Sequence, residues 1–173
     1  MLYWLIGTVV RSFLILAASL ISAMPWGLPV EFVFALPLLV FAVIHDIVWR
    51  ARDQVLIPVV FVAGLLVDIL VNGPLGFWSF LFLLGFGMTR QLAKPNQPQQ
   101  LLRRWTSYSL VALAITAIAW LVGSLYFLKL VAFLPMLFGA GLAAAIYPIL
   151  SLLLGLSHVV ITKPEVELTG SEA

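Results

Sequence analysis

Gly64-Leu-Leu-Val-Asp68-Ile-Leu-Val-Asn72-Gly73-Pro74-Leu75-Gly76 sits within the 35 residues from Val55 to Thr89, where Asp68 is the only charged residue. An ionisable group in such a run costs roughly 2.5–3.5 kcal/mol on insertion-derived scales, so it faces protein or a water-filled cavity. Residues at i, i+4 and i+8 share one helix face, so Gly64, Asp68 and Asn72 form a small, polar stripe on an otherwise Val/Leu/Ile cylinder. The stripe is a place for another helix, a ligand or an ion. Asn72-Gly73-Pro74 is a strong turn signal, and the apolar segments on either side of it become an antiparallel hairpin with almost no exposed loop.

The same character extends over the whole chain. Of 173 residues, 64% are hydrophobic and only 9% charged, and the mean hydropathy is +1.17. Ordinary soluble domains are about half apolar and about a quarter charged. The expected class is therefore an all-α integral membrane protein, a compact bundle of about six transmembrane helices with short loops and no soluble domain. A net charge of +2, carried by scattered Lys and Arg, is no nucleic-acid footprint. The chain has no cysteine, which excludes disulfides and thiolate chemistry. His45 and His158 lie far apart without ligand spacing, so no metal or other cofactor is expected.

Spans of about 20 apolar residues are predicted at 8–24, 31–49, 55–72, 75–92, 107–127 and 130–155, forming one transmembrane unit over 1–162. The segment 163–173 reads as a short polar tail. The start resembles a secretory signal, with Arg11 before Phe13–Ile21, but Ser22-Ala23-Met24-Pro25-Trp26 gives no good cleavage pattern, so a retained first span is expected. With the N-terminus inside, Arg11, Arg50, Arg52, Arg90, Lys94, Arg103, Arg104 and Lys163 are cytoplasmic, and Lys129 alone is outside. Such a bias sets the orientation, placing both termini in the cytoplasm and requiring Arg11 to snorkel to the inner interface.

Trp4, Trp26, Trp49, Trp78 and Trp105 fall near span ends, as an interfacial belt requires, whereas Trp120 does not. Pro37 and Pro148 fall inside spans and are expected to bend them. Gly139-Ala-Gly141-Leu-Ala143-Ala144-Ala145 provides a small-residue face for close helix packing. The inner loop from about Leu92 to Thr106 is too short to fold alone. No Ser-His-Asp set, zinc-protease motif or phosphate-binding glycine loop occurs, so no enzyme is expected. His45 and Asp46 are neighbours that diverge by about 100° on a helix and read as interfacial charges at a span end. Asp68 lies about 20 Å up its helix, in the outer third of the core. It fixes packing or caps the outer bundle, organises a partner surface, or serves ion transport, with Lys129 as the candidate counter-charge.

The residues just quoted resemble the rod shape-determining MreD family, bacterial inner-membrane components of the elongation machinery. The likeness is carried by Met24-Pro25-Trp26 closing the first span and by Gly64-(x3)-Asp68 followed by Asn72-Gly73-Pro74-Leu75-Gly76. It implies a non-catalytic scaffold that binds the bitopic protein MreC and helps link the MreB filament, indirectly, to the peptidoglycan synthase RodA and its transpeptidase. Glu165 to Ala173 have no counterpart in that pattern. The chain also resembles, in size and lack of domains, the substrate-binding subunits of vitamin-type transporters, although it has only Ala18-x-x-x-Ser22 where those carry an Ala-x-x-x-Ala coupling motif. Expected site residues are Gly64, Asp68, Asn72, Gly73, Pro74, Gly76, Lys129, Gly139 and Gly141, in partner or packing roles, with membrane lipids around them.

Overall fold

The computed structural model describes residues 2–24, 27, 29–51, 55–93 and 100–162. Pro25 and Trp26 of the resemblance motif, Arg52, Lys94, Lys163 and the polar tail lie outside the described residues. Seven helical elements follow one another among the described residues: α1 (Leu2–Ser22), α2 (Val30–Val33), α3 (Ala35–Arg50), α4 (Ile57–Leu70), α5 (Phe77–Leu92), α6 (Leu101–Tyr126) and α7 (Phe133–Thr162). Three helices are long and apolar enough to cross a membrane, over Leu5–Ser22, Leu101–Tyr126 and Phe133–Gly155. The inner elements are shorter: α3 and α5 have 16 residues and α4 has 14.

α3 is the axis of the bundle. It packs against α1, α5, α6 and α7, while α4 lies outside it against α1 and α5. Twelve of its sixteen residues are buried, from Ala35 to Val48, so it has no solvent or lipid stripe. Phe41 stacks on Phe82 of α5 and Tyr108 of α6, with centroids 6.3 and 6.2 Å apart. Gly85 allows this approach, because a Cβ there would come within 2.6 Å of the Phe41 ring. The outer surface is also apolar: Phe13, Leu110, Leu121, Leu134 and Leu153 are all more than half exposed. A soluble monomer rarely carries so large an apolar exterior.

Helix ends shift by several residues from the expected spans, and the shifts have causes. α6 begins at Leu101 rather than near 107, which turns Arg104 into a buried helix residue. The expected second span is broken at Phe34 into α2 and α3. Pro37 therefore falls in the first turn of α3, where its missing amide has no intrahelical partner to lose, and the expected bend there is not needed. Pro148 lies inside α7. It cannot donate to the carbonyl of Ala144, four residues earlier, and the Trp105 indole N–H takes that carbonyl at 2.8 Å. Arg11, expected to reach toward an interface, is 7% exposed and packed within the bundle. Trp78 is likewise buried rather than part of an interfacial belt, packed on Phe34, Phe77 and Phe82. The indole of Trp120 donates to the Val131 carbonyl at 2.8 Å and ties the α6–α7 turn.

Candidate functional site

Two polar constellations sit at opposite ends of the bundle. The first is the α4–α5 hairpin. Gly73 N–H donates to the Asp68 carbonyl at 2.9 Å and Asn72 N–H to the Ile69 carbonyl at 3.4 Å. This pair of bonds is a Schellman ending, with Asn72 at φ 54° in the left-handed position that Gly or Asn tolerates. The chain then turns through Pro74 and Leu75 to Gly76 at φ 91°, which opens α5.

The Asp68 side chain closes the hairpin from inside. It is fully buried, and its two oxygens accept the Gly76 N–H at 2.9 Å and the Trp78 N–H at 2.8 Å. The Ser79 hydroxyl approaches at 3.4 Å. A carboxylate on one helix thus caps the first turn of the next, where helix amides are otherwise unpaired and negative charge is favoured. One turn below, Gly64 meets the backbone of α5: a Cβ there would overlap Ser79 and lie 2.8 Å from the Trp78 carbonyl carbon. Gly64 and Asp68 of the expected stripe therefore form the seam of a helix pair, whereas Asn72 lies beyond the end of α4 and is exposed. Lys129 is not the counter-charge of Asp68; it is exposed in the α6–α7 turn, and the carboxylate contacts are with α5 donors.

The small-residue face of α7 divides in the same way. A Cβ at Gly139 would lie 3.0 Å from the Ala35 nitrogen and 3.2 Å from Phe34 Cβ, so Gly139 packs against the start of α3. At Gly141 a Cβ would meet nothing within 4 Å, and the residue is exposed. Gly141 makes no packing contact within the chain, because two helix steps of about 100° from Gly139 turn it outward.

The second constellation lies toward the C-terminal end of α3 and corrects the reading of His45 and Asp46 as interfacial charges. Both are fully buried. Asp46 accepts Arg50 Nε at 2.6 Å on one oxygen. Its other oxygen accepts Ser151 Oγ at 2.6 Å, Arg104 at 3.2 Å and the Tyr147 hydroxyl at 3.4 Å. Arg50 continues to the Ser151 carbonyl at 2.6 Å. His45 is held between Tyr147, 3.0 Å from Nδ1, and Ser107, 3.3 Å from Nε2. One consistent assignment runs from the Ser107 hydroxyl into Nε2, from Nδ1–H to the Tyr147 oxygen, and from Tyr147 O–H to Asp46. Tyr108 stacks on Tyr147 with centroids 4.4 Å apart and donates to the Leu38 carbonyl at 2.8 Å.

This cluster joins α3, α6 and α7 around one carboxylate between two guanidinium groups. Each helix contributes a polar pair at i, i+4: Asp46/Arg50, Arg104/Tyr108 and Tyr147/Ser151. That spacing is the sequence signal that could have revealed it. Chemically, both imidazole nitrogens and both carboxylate oxygens are engaged inside the protein. Among the described residues, no group of three or more His, Cys, Asp or Glu could hold a metal.

At the Asp68 end the bundle also forms an apolar cleft of about 700 Å³ that is open on one side. It is framed by Phe34 and Pro37, by Phe77 and Trp78 of the hairpin, and by Gly123 and Val131 near the α6–α7 turn. Comparison of the chain with protein-family models, curated proteins and solved structures gives no match.

Proposed function

We propose that this protein is a non-catalytic scaffold of the bacterial inner membrane, with six spans and both termini cytoplasmic. In this reading it belongs to the rod-shape machinery as an MreD-type component. It receives a bitopic MreC-like protein and through it couples indirectly to MreB, RodA and the transpeptidase. The observation that carries the reading is the role of the motif residues behind the resemblance. Gly64, Asp68, Asn72 and Gly76 all serve one locked hairpin, which buries the Asp68 carboxylate and leaves Asn72 and apolar residues such as Leu75 outside. A rigid apolar surface of this kind suits a partner helix better than a water-filled catalytic site. Spans of 14–16 residues are short for a core of about 30 Å, which a bilayer meets by thinning or by helix association.

Two measurements test the reading. Reporter fusions after Gly27, Asp53, Asn72, Gln97, Lys129 and Ala173 should alternate outside and inside, beginning outside; a periplasmic signal at Gln97 would overturn the topology. Tagged protein should co-purify with an MreC-like bitopic partner and restore rod shape to cells lacking it, and failure of both would reject the scaffold role. The alternative, a substrate-binding subunit of a vitamin-type transporter, is favoured by the cavity alone. Its described wall residues carry no charge, whereas a polar cargo needs placed polar groups to fix its orientation.

A further inference from the structure

The cavity at the Asp68 end is large enough for a ligand, since small-molecule sites run from about 300 to 1,000 Å³. Phe34, Phe77, Trp78 and Met136 are among its wall residues, with Ser22 as the side-chain hydroxyl among the described lining residues. A smaller cavity of about 280 Å³ shares Pro74, Phe77, Gly123 and Phe127 with it and adds Leu75 and Tyr126, both strongly exposed. The walls thus continue from the bundle interior to the outer surface between the α4–α5 turn and the end of α6. Leu128 and Leu130 of the α6–α7 turn, outside both linings, are 88% and 83% exposed. Lys129 lies between them, flanked in sequence by the wall residues Phe127 and Val131.

An apolar cleft whose wall includes Phe127 and Val131 of the α6–α7 turn, with the exposed cation Lys129 in that same turn, matches an amphiphile with a hydrocarbon chain and an anionic head. We propose that the cleft binds one acyl chain of an anionic glycerophospholipid, whose phosphate sits at Lys129. Bulk phospholipid is favoured over a rarer polyprenyl phosphate of the same chemistry by mass action. The proposal rests on the membrane reading of α1, α6 and α7 and not on the scaffold role, so lipid binding and partner binding can fail separately.

Gly123 supplies a clean test. It lies on the wall of both cavities, and a Cβ there meets nothing within 4 Å. Gly123→Phe therefore projects a ring into the cleft without a backbone clash, and Gly141→Phe, equally unobstructed but off the wall, is the control. The full chain in nanodiscs is exposed to phosphatidylglycerol carrying a photoreactive group on one acyl chain, with the matching phosphatidylcholine as comparison. Labelling should map to the α6–α7 turn and to Phe77–Trp78, and should fall about tenfold in Gly123→Phe but not in Gly141→Phe. Lys129→Gln should remove a phosphatidylglycerol preference of about fivefold. Unchanged labelling in Gly123→Phe would overturn the chain site; equal labelling by both lipids would overturn the phosphate contact. Displacement by trace polyprenyl phosphate would overturn the choice of lipid. Should Gly123→Phe not fold, Gly123→Leu carries the same readings with less bulk.

Discussion

Replacing Asp68 separates the hairpin cap from any ion-pair role. The carboxylate accepts two backbone amides, at 2.9 and 2.8 Å, in a fully buried position. Stranding a buried donor costs about 1–3 kcal/mol, so two stranded amides put Asp68→Leu at about 2–6 kcal/mol. Burial of the leucine returns about 1.5–3 kcal/mol, so the central values, about 4 less about 2, leave a net loss of about 2 kcal/mol. For a chain of this length that is a fall of about 4–8 °C in melting temperature. Asp68→Asn is expected to fall between leucine and wild type. Its single carbonyl oxygen can satisfy one amide, but its NH2 then faces the other donor, at about 1–3 kcal/mol. Lys129→Gln, at an exposed turn, should stay within about 0.5 kcal/mol of wild type. The assay is thermal unfolding of purified protein in one detergent, followed by tryptophan fluorescence. If Asn equals wild type while Lys129→Gln costs as much as Asp68→Leu, the capping argument is wrong.

The remaining predictions use the same assay. Gly64→Ala must push α4 off α5 and should cost about 1–3 kcal/mol, as should Gly139→Leu against α3, while Gly141→Leu should be silent within about 0.5 kcal/mol; a costly Gly141→Leu would place an unseen neighbour on that face. Asp46→Leu leaves two guanidinium groups without their carboxylate, at about 3–5 kcal/mol, and adding Arg50→Met with Arg104→Met should recover part of it. No recovery in the triple variant would mean that the cluster acts by shape rather than charge. Trp105→Phe should cost about 1 kcal/mol in the wild-type chain but little in Pro148→Ala, where a restored amide takes the Ala144 carbonyl; equal losses in both backgrounds would disconnect the indole from the proline.

How much of this was legible in the sequence depended on the separation between partners. The hairpin was readable because its parts lie close together: Gly64 and Asp68 recur at the helical period, and Asn72 and Gly76 supply the two left-handed positions. What the Asp68 stripe faced was not readable, since a helix, a ligand and an ion all need a small, polar surface. Gly64 decides it, because its missing Cβ is where the α5 backbone passes. The ionic cluster was missed for a different reason. Its partners on other helices are 58 to 105 residues away, and His45 and Asp46, a poor acid/base pair at about 100° apart, read as interfacial charges at a span end. That reading holds for a helix with a lipid side. α3 has none: α1, α5, α6 and α7 surround it, so both directions point inward and every polar group on it must find a protein partner. Asp46 can be tolerated there only with donors from other helices, and Arg50 only with a carbonyl such as that of Ser151 beside its carboxylate. The burial of α3 thus creates the demand that α6 and α7 meet with Arg104, Ser107, Tyr147 and Ser151, which makes this cluster a consequence of the bundle's topology rather than of any local motif.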